Sequence, residues 1–177
     1  VKSTLPLRGA QRGDARLMAV TGPAAVLQVA LLAFAFAVLM RAFITSDFSL
    51  ALVVANSNSL KPLLYKITGT WGNHEGSLLL WTLILALYGA SVAVFGGNLP
   101  VRLRARVLAV QGSIGVAFLL FMLLTSNPFW RPVAPPLDGR DLNPLLQDPG
   151  LAFHPPFLYF GYVGLSVAYS FAVAALI

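Results

Sequence analysis

The chain has 177 residues, of which 58% are hydrophobic and 10% are charged, and its mean hydropathy is +0.79. This composition excludes an ordinary soluble domain, in which about a quarter of the residues are charged. The absence of cysteine excludes disulfides and thiolate metal sites within these residues, and the net charge of +6 comes with no basic face that would bind nucleic acid.

Long uncharged segments recur along the chain, and each provides the roughly 20 apolar residues that cross a bilayer. We therefore predict an all-α integral membrane protein with about four transmembrane helices, at about residues 24–43, 78–95, 108–124 and 156–177. Two structured loops, at about residues 44–77 and 125–155, connect them on one side of the membrane. Because the last apolar run reaches Ile177, we expect residues 1–177 to be one multi-pass segment of a longer polypeptide.

The positive charges indicate the orientation of these helices. Seven of the twelve basic residues precede the first helix or lie in the short link between the second and third, together with only one acid. The two longer loops, when the first is counted from Arg41 at the end of the first helix, hold five basic residues and five acids. The positive-inside rule then places both termini and the arginine-rich link in the cytoplasm, and His74 and His154 on the outer, periplasmic side.

The first long loop contains LKPLLYKI, residues 60–67, whose leucines and final isoleucine recur at helical spacing. With Ser59 as its N-cap and Pro62 in its first turn, this segment predicts a short amphipathic helix on the membrane surface. Such a helix either anchors the loop to lipid or docks a partner.

The motif TWGNHEGSLLLW, residues 70–81, precedes and begins the second predicted span. Its glycines, Gly72 and Gly76, allow close backbone approach, so that the polar turn holding His74 and Glu75 can rest against a flat ligand or another helix. An ordinary helix start with hydrogen-bonded His and Glu, and with Trp71 at the membrane interface, accounts for the same pattern.

The second long loop is rich in prolines and Asx-turn residues, which stiffen it and lower the entropy lost when its side chains are fixed. Its only imidazole is His154, within LNPLLQDPGLAFHPPFLYFGYVG, residues 142–164. The following Pro155 and Pro156 are expected to keep His154 out of a regular helix interior and to favour an extended approach.

A neutral imidazole is a good ligand for haem iron, and a second group that binds its other nitrogen fixes the tautomer. Asp148 and Asp141 are the expected partners of His154 in that arrangement. The aromatic residues that follow, Tyr159 among them, either line a cleft for a large apolar ring or form an interfacial belt. The alternative for His154 is a hydrogen-bonded structural histidine.

Three stretches carry a resemblance that covers essentially the whole chain: RGDARLMA (residues 12–19), TWGNHEGSLLLW, and TSNPF with GRDLNPLLQDPGLAFHPPFLYFGYVG (between residues 125 and 164). They resemble the amino-terminal part of the F component of the bacterial cytochrome c maturation system, a haem lyase of the inner membrane. The resemblance implies attachment of haem, delivered by a periplasmic haem chaperone, the E component, to the CxxCH cysteines of apocytochrome c. It also implies a thioredoxin-like H component as a partner.

In that family an outward-facing histidine matches His154, so the resemblance implies that His154 ligates the iron of the incoming haem from one axial side. Trp71 and Tyr159 are further candidates for contact with the haem, His74 is not assigned to iron, and no catalytic residue is assigned. The sequence ends before the family's tryptophan-rich WWD segment, its second outer histidine and the two membrane histidines of a separate b-type haem. We therefore expect one haem ligand and a structural framework rather than complete catalysis.

Two alternatives stay open. A paralogous lyase dedicated to a cytochrome c nitrite reductase would share nearly all of these residues, and a non-catalytic membrane assembly subunit would show no dependence on haem. A transporter is disfavoured because the predicted helices carry essentially no acids or lysines near the middle of the membrane.

Overall fold

The structure, a computed structural model, describes residues 4–177, whose regular elements are all helices, with no strand among them. The helices are α1 (Thr4–Arg12), α2 (Ala15–Ala19), α3 (Thr21–Ile44), α4 (Ala51–Asn56), α5 (Leu63–Gly69), α6 (His74–Phe95), α7 (Val101–Thr125) and α8 (Pro149–Leu176), with 3₁₀ turns at Gly96–Asn98 and Pro144–Gln147. Four candidate membrane spans are present, in α3 together with α2, in α6, in α7 and in α8. The predicted fold class is confirmed.

Each long helix begins earlier than the apolar run that predicted it, because polar residues on the amino side of the run are also helical. α6 begins at His74, since Asn73 caps it by accepting the Gly76 N–H with its side-chain oxygen at 2.7 Å. α7 begins at Val101 and includes the arginine-rich residues 102–106.

Two compact units make up the fold. The first comprises the described residues up to Leu32, with Thr82–Leu119 and Tyr159–Ile177. The second comprises Ala33–Trp81 and Leu120–Leu158, and it holds both long loops. All the candidate site residues except Tyr159 belong to the second unit.

In the first unit, α1 and α2 form a tight hairpin that the hydropathy pattern does not predict. Gly13 takes a φ of 70° between the two helices, which glycine adopts without strain, and the Asp14 carboxylate caps α2 by accepting the Arg16 N–H at 2.9 Å. Ala10 and Met18 of the hairpin are buried together with Ala105 of α7.

In the second unit, α3 ends in a Schellman motif. Ser46 has a φ of 53°, the Asp47 N–H donates to the Ala42 carbonyl at 2.9 Å, and the Ser46 N–H donates to the Phe43 carbonyl at 3.2 Å. Glycine is the usual residue at this position, and here the Lys66 ammonium donates to the Ser46 hydroxyl oxygen at 2.7 Å. This bond fixes the turn that leads from α3 to α4.

The predicted surface helix corresponds to α5, but its amino end was placed wrongly. α5 starts at Leu63, with Pro62 in the N-cap position and no side-chain capping hydrogen bond. Ser59 does not cap it, because the helix starts three residues too late for Ser59 to be the N-cap. Ser59 instead donates its hydroxyl to the Asp138 carboxylate at 2.7 Å and its backbone N–H to the same carboxylate at 3.0 Å. A carboxylate acceptor gives charge-assisted hydrogen bonds, which a local cap could not match.

Candidate functional site

His154 lies in the second turn of α8, so the expected extended segment is wrong. The helix begins at Pro149, whose ring fixes φ at a helical value and whose missing N–H is not needed at this position. Asp148 caps it, since its carboxylate accepts the Leu151 N–H at 3.1 Å. The pair Asp148-Pro149 is itself a helix-start signal, and it outweighs the prolines that follow His154.

One of the two prolines inside α8, Pro156, is accommodated by a donor from a distant part of the chain. Pro156 lacks the N–H that would bond to the carbonyl of Ala152, four residues earlier. The indole N–H of Trp71 donates to that carbonyl instead, at 2.8 Å. The Trp71 ring also stacks on Phe36 of α3, with centroids 6.4 Å apart and an interplanar angle of 17°. Trp71 therefore holds the first turns of α8 against α3.

The loop that precedes α8 is fixed by a buried lysine. The Lys61 side chain has 0% exposure, and its ammonium donates to the Asn56 carbonyl at 2.8 Å and lies 3.7 Å from the Asp141 carboxylate. Burial lowers the pKa of Lys61, and the neighbouring Asp141 carboxylate partly offsets that effect. Asp141 thus pairs with Lys61 rather than with the His154 imidazole.

Residues 138–140 add a second attachment of this loop. The Ser59 hydroxyl, and then the backbone N–H groups of Gly139 and Ser59, lower the pKa of Asp138 by hydrogen bonding to its charged form. Gly139 lies against the Ser57 carbonyl with no room for a Cβ, and the Arg140 N–H donates to the Val54 carbonyl at 2.7 Å. The loop is therefore docked on α4 and on the segment that follows it.

The His154 imidazole is exposed and, across residues 4–177, forms no hydrogen bond or ion pair. The expected partners do not reach it, because Asp148 caps α8 and Asp141 pairs with Lys61. Phe157, which is 76% exposed, and Leu158 lie on the same helix face at spacings of three and four residues. Both ring nitrogens are thus available to a ligand beside an apolar surface.

His74 and Glu75 form a separate polar group at the start of α6. The His74 Nε2 lies 3.2 Å from the Ser126 hydroxyl. His74, Glu75 and Asn73 line a cavity of about 680 Å³. The rest of its lining comes from α4, the end of α7 and the segment that follows α7: Ala51, Leu52, Ala55, Asn56, Leu123, Leu124, Thr125, Ser126, Asn127 and Trp130. Neither His154 nor Trp71 belongs to this lining, and sequence analysis did not identify Ser126, which is distant in sequence.

Tyr159, the remaining candidate, lies further along α8, in the first unit, and is half-buried. In the part of the chain that the structure describes, no three His, Cys, Asp or Glu side chains come together to hold a metal ion. The chain is therefore a multi-pass helical membrane protein that presents one unpartnered imidazole on a rigidly held helix start.

Comparison with known proteins identifies the family. Residues 71–177 match the family described as Cytochrome C assembly protein, and the chain belongs to that family. It is 69% identical over 177 residues to the cytochrome c-type biogenesis protein ccl1 of Rhodobacter capsulatus, covering 100% of this chain and 27% of that protein. It is 46% identical over 154 residues to the cytochrome c-type biogenesis protein NrfE of Haemophilus influenzae, covering 87% of this chain and 23% of that protein.

A solved structure of the cytochrome c haem lyase CcmF has the same fold. It matches with a TM-score of 0.81 and 32% identity, over 98% of this chain and 28% of the CcmF chain. The chain spans about a quarter of the length of the curated relatives it matches (27% for ccl1), and the similarity corresponds to the amino-terminal part of CcmF.

Proposed function

We propose that His154 supplies one axial ligand to the iron of a substrate haem, in a cytochrome c haem lyase of which this chain forms part. The observation that carries the proposal is the exposed, unpartnered imidazole of His154 on a helix start that the rest of the second unit holds in place. An unpartnered imidazole on a fixed backbone, next to the exposed Phe157, fits the needs of a large apolar ring with a central iron. The names of the relatives agree with this function.

The role of the chain's own residues is positioning. Haem vinyl groups and apocytochrome CxxCH thiols must meet in a defined orientation, and an axial ligand carried on a fixed stretch of backbone supplies part of that geometry. The Asp148 cap and the hydrogen bond from Trp71 to the Ala152 carbonyl fix the backbone on the amino side of His154. The Lys61–Asp141 pair holds the loop that leads to the cap.

The sidedness and partners form part of the same proposal. We place both long loops, with His74 and His154, on the periplasmic side of the inner membrane, where the haem chaperone, the thioredoxin-like H component and apocytochrome c would meet them. The distribution of basic residues supports this orientation. The separate b-type haem of the family would use residues outside this chain.

Replacement of His154 in the full-length protein tests the proposal. We expect His154→Gly to lower the yield of holocytochrome c at least about tenfold, since one ordered ligand contributes a hydrogen-bond-scale energy or more. Added imidazole should restore part of the yield, because it can occupy the space that the side chain leaves. Haem-stained cytochrome and the membrane level of the protein would be measured together.

His74→Gly serves as the matched control, because the other imidazole of the chain is engaged with Ser126 and lies in a separate cavity. The His74→Gly variant should show no defect in holocytochrome c yield that added imidazole rescues. Undiminished maturation in the His154→Gly variant at a normal protein level would reject the assignment of His154 as a ligand.

The resemblance leaves a second candidate, a paralogous lyase dedicated to the haem-attachment motif of a cytochrome c nitrite reductase, and the chain is also similar to a second cytochrome c-type biogenesis protein, NrfE. Both proteins would use His154 in the same way, so the distinction lies in the apocytochrome. Expression of the full-length protein with substrates that carry CxxCH or an altered motif would separate the two. A non-catalytic assembly subunit would show no change in haem attachment with either substrate when His154 is replaced.

A further inference from the structure

A second cavity, of about 390 Å³, lies where α3 ends, and it combines two arginines with apolar walls. Its lining comes from the last turns of α3, from the turn before α4 and from the segment after α7: Val38, Arg41, Ala42, Thr45, Asp47, Leu50, Phe129 and Arg131. None of these residues belongs to the cavity at His74 or to the surroundings of His154 described above.

The charges of this cavity are not neutralised within the protein. Arg41 and Arg131 are exposed and form no ion pair with any residue between 4 and 177. Asp47 is the one acid in the lining, and one of its carboxylate oxygens accepts the Ser49 N–H at 3.1 Å. Two guanidinium groups against one carboxylate give the lining a net charge of +1.

The backbone around the cavity is fixed. The Schellman motif at the end of α3 holds Asp47, and the Ala51 N–H donates to the Trp130 carbonyl at 3.0 Å, which ties the segment that carries Arg131 to the start of α4. The Phe129 N–H donates to the Asn127 side chain at 2.9 Å. Leu50 is buried and closes the wall between these elements. The two arginines are thus attached to a rigid frame.

An apolar track leads along α3 to this cavity. Phe34 is 70% exposed and Val38 is 42% exposed, and both lie on the helix face that ends at Arg41, at spacings of four and three residues. α3 belongs to a candidate membrane span, so this face is covered by hydrocarbon in the membrane. Arg41 lies in the last turn of α3, at the end of this candidate span, and Arg131 lines the same cavity, so a lipid head group at this end of the span would meet both arginines.

We propose that this cavity binds the head group of an anionic phospholipid of the phosphatidylglycerol type. Arg41 and Arg131 bind the phosphate diester, since the planar guanidinium group matches phosphate oxygens in a bidentate manner. The Asp47 carboxylate oxygen that does not bind Ser49 accepts a hydrogen bond from a hydroxyl of the glycerol head group. An acyl chain lies along Val38 and Phe34. The net charge of +1 complements an anionic lipid better than a zwitterionic one.

The test is native mass spectrometry of the full-length protein in detergent, titrated with phosphatidylglycerol or phosphatidylethanolamine of identical acyl chains. We expect several-fold higher occupancy with phosphatidylglycerol. Arg41→Gln and Arg131→Gln should each weaken its binding about tenfold, and the double variant more than either, because each removes a charge-assisted contact. Arg140→Gln, which removes an exposed arginine of the same loop outside the cavity lining, should leave binding unchanged.

Two results of this titration would overturn the proposal. The first is equal binding of phosphatidylglycerol by the Arg41→Gln/Arg131→Gln double variant and the wild type; the second is equal occupancy by the two lipids. Glycerol 3-phosphate is added in a competition arm. We expect it to displace little lipid at millimolar concentration, since it lacks the acyl chains, and full displacement would identify a soluble phosphate site instead.

Discussion

Gly76 marks a position where one added methyl group must disturb the second unit. The carbonyl of Thr70 lies directly against its Cα, and a Cβ built there would overlap the carbonyl oxygen. The backbone on either side is fixed, because Asn73 caps α6 through the Gly76 N–H. We expect Gly76→Ala to lower the free energy of unfolding by about 1–3 kcal/mol, the usual range for overpacking, measured by chemical denaturation of the full-length protein in detergent.

Gly97→Ala is the control for this prediction, since nothing lies within 4 Å of a Cβ built at Gly97. Its effect on the free energy of unfolding should stay within about 0.5 kcal/mol. If the two alanine variants had the same stability, the tight approach of the Thr70 carbonyl would not describe the protein.

Some residue properties follow from the sequence and others do not. The glycines around His74 predict close backbone approach, and the structure places the Thr70 carbonyl against Gly76. The partners of the charged residues depend on tertiary contacts that local pattern does not encode. Ser59 and Asp138 are 79 residues apart, and Lys61 and Asp141 come together only when the second loop docks on the first.

At the scale of elements, the start of α8 depends on Trp71. Trp71→Phe keeps an aromatic ring to stack on Phe36 but removes the N–H that binds the Ala152 carbonyl. We expect this change to destabilise the protein by about 1–3 kcal/mol, the cost of a buried acceptor left without a partner. Thermal unfolding of the full-length protein would measure it.

The prediction is made specific by a second substitution. Pro156→Ala restores the backbone N–H that pairs with the Ala152 carbonyl inside the helix, so Trp71→Phe should cost much less in that background. A double-mutant cycle of the two changes should therefore be non-additive. Additive effects would show that the hydrogen bond from Trp71 does not substitute for the bond that Pro156 removes.

The same contact explains why element boundaries were less predictable than element existence. Apolar runs identify the four long helices, because a bilayer demands about 20 apolar residues whatever the surrounding structure. The start of α8 required a cap at Asp148 and a donor distant in sequence, Trp71, which binds the carbonyl of Ala152 that Pro156 leaves without its helical partner. α1 lies outside the four candidate spans, and the break that separates α2 from α3 is not visible in the apolar run, so hydropathy could not predict either short helix.

For the whole molecule, the candidate site requires that the two long loops share one side of the membrane and that the α6–α7 link lies on the other. The chain has four candidate spans, and this condition is met when successive spans cross the membrane in opposite directions. The arginines at 102, 104 and 106 would retain the link in the cytoplasm under the positive-inside rule. Under the proposed function, His154 would then face the compartment in which apocytochrome c receives haem.

Labelling of single cysteines can test this arrangement, because residues 1–177 contain no cysteine of their own. Val133, in the second long loop, is fully exposed, and Gly97, in the α6–α7 link, is exposed. In intact spheroplasts, a membrane-impermeant maleimide should label Val133→Cys but not Gly97→Cys, while both should react after permeabilisation. The unsubstituted full-length protein measures background labelling. Labelling of Gly97→Cys alone before permeabilisation would place His154 in the cytoplasm and remove it from contact with periplasmic haem.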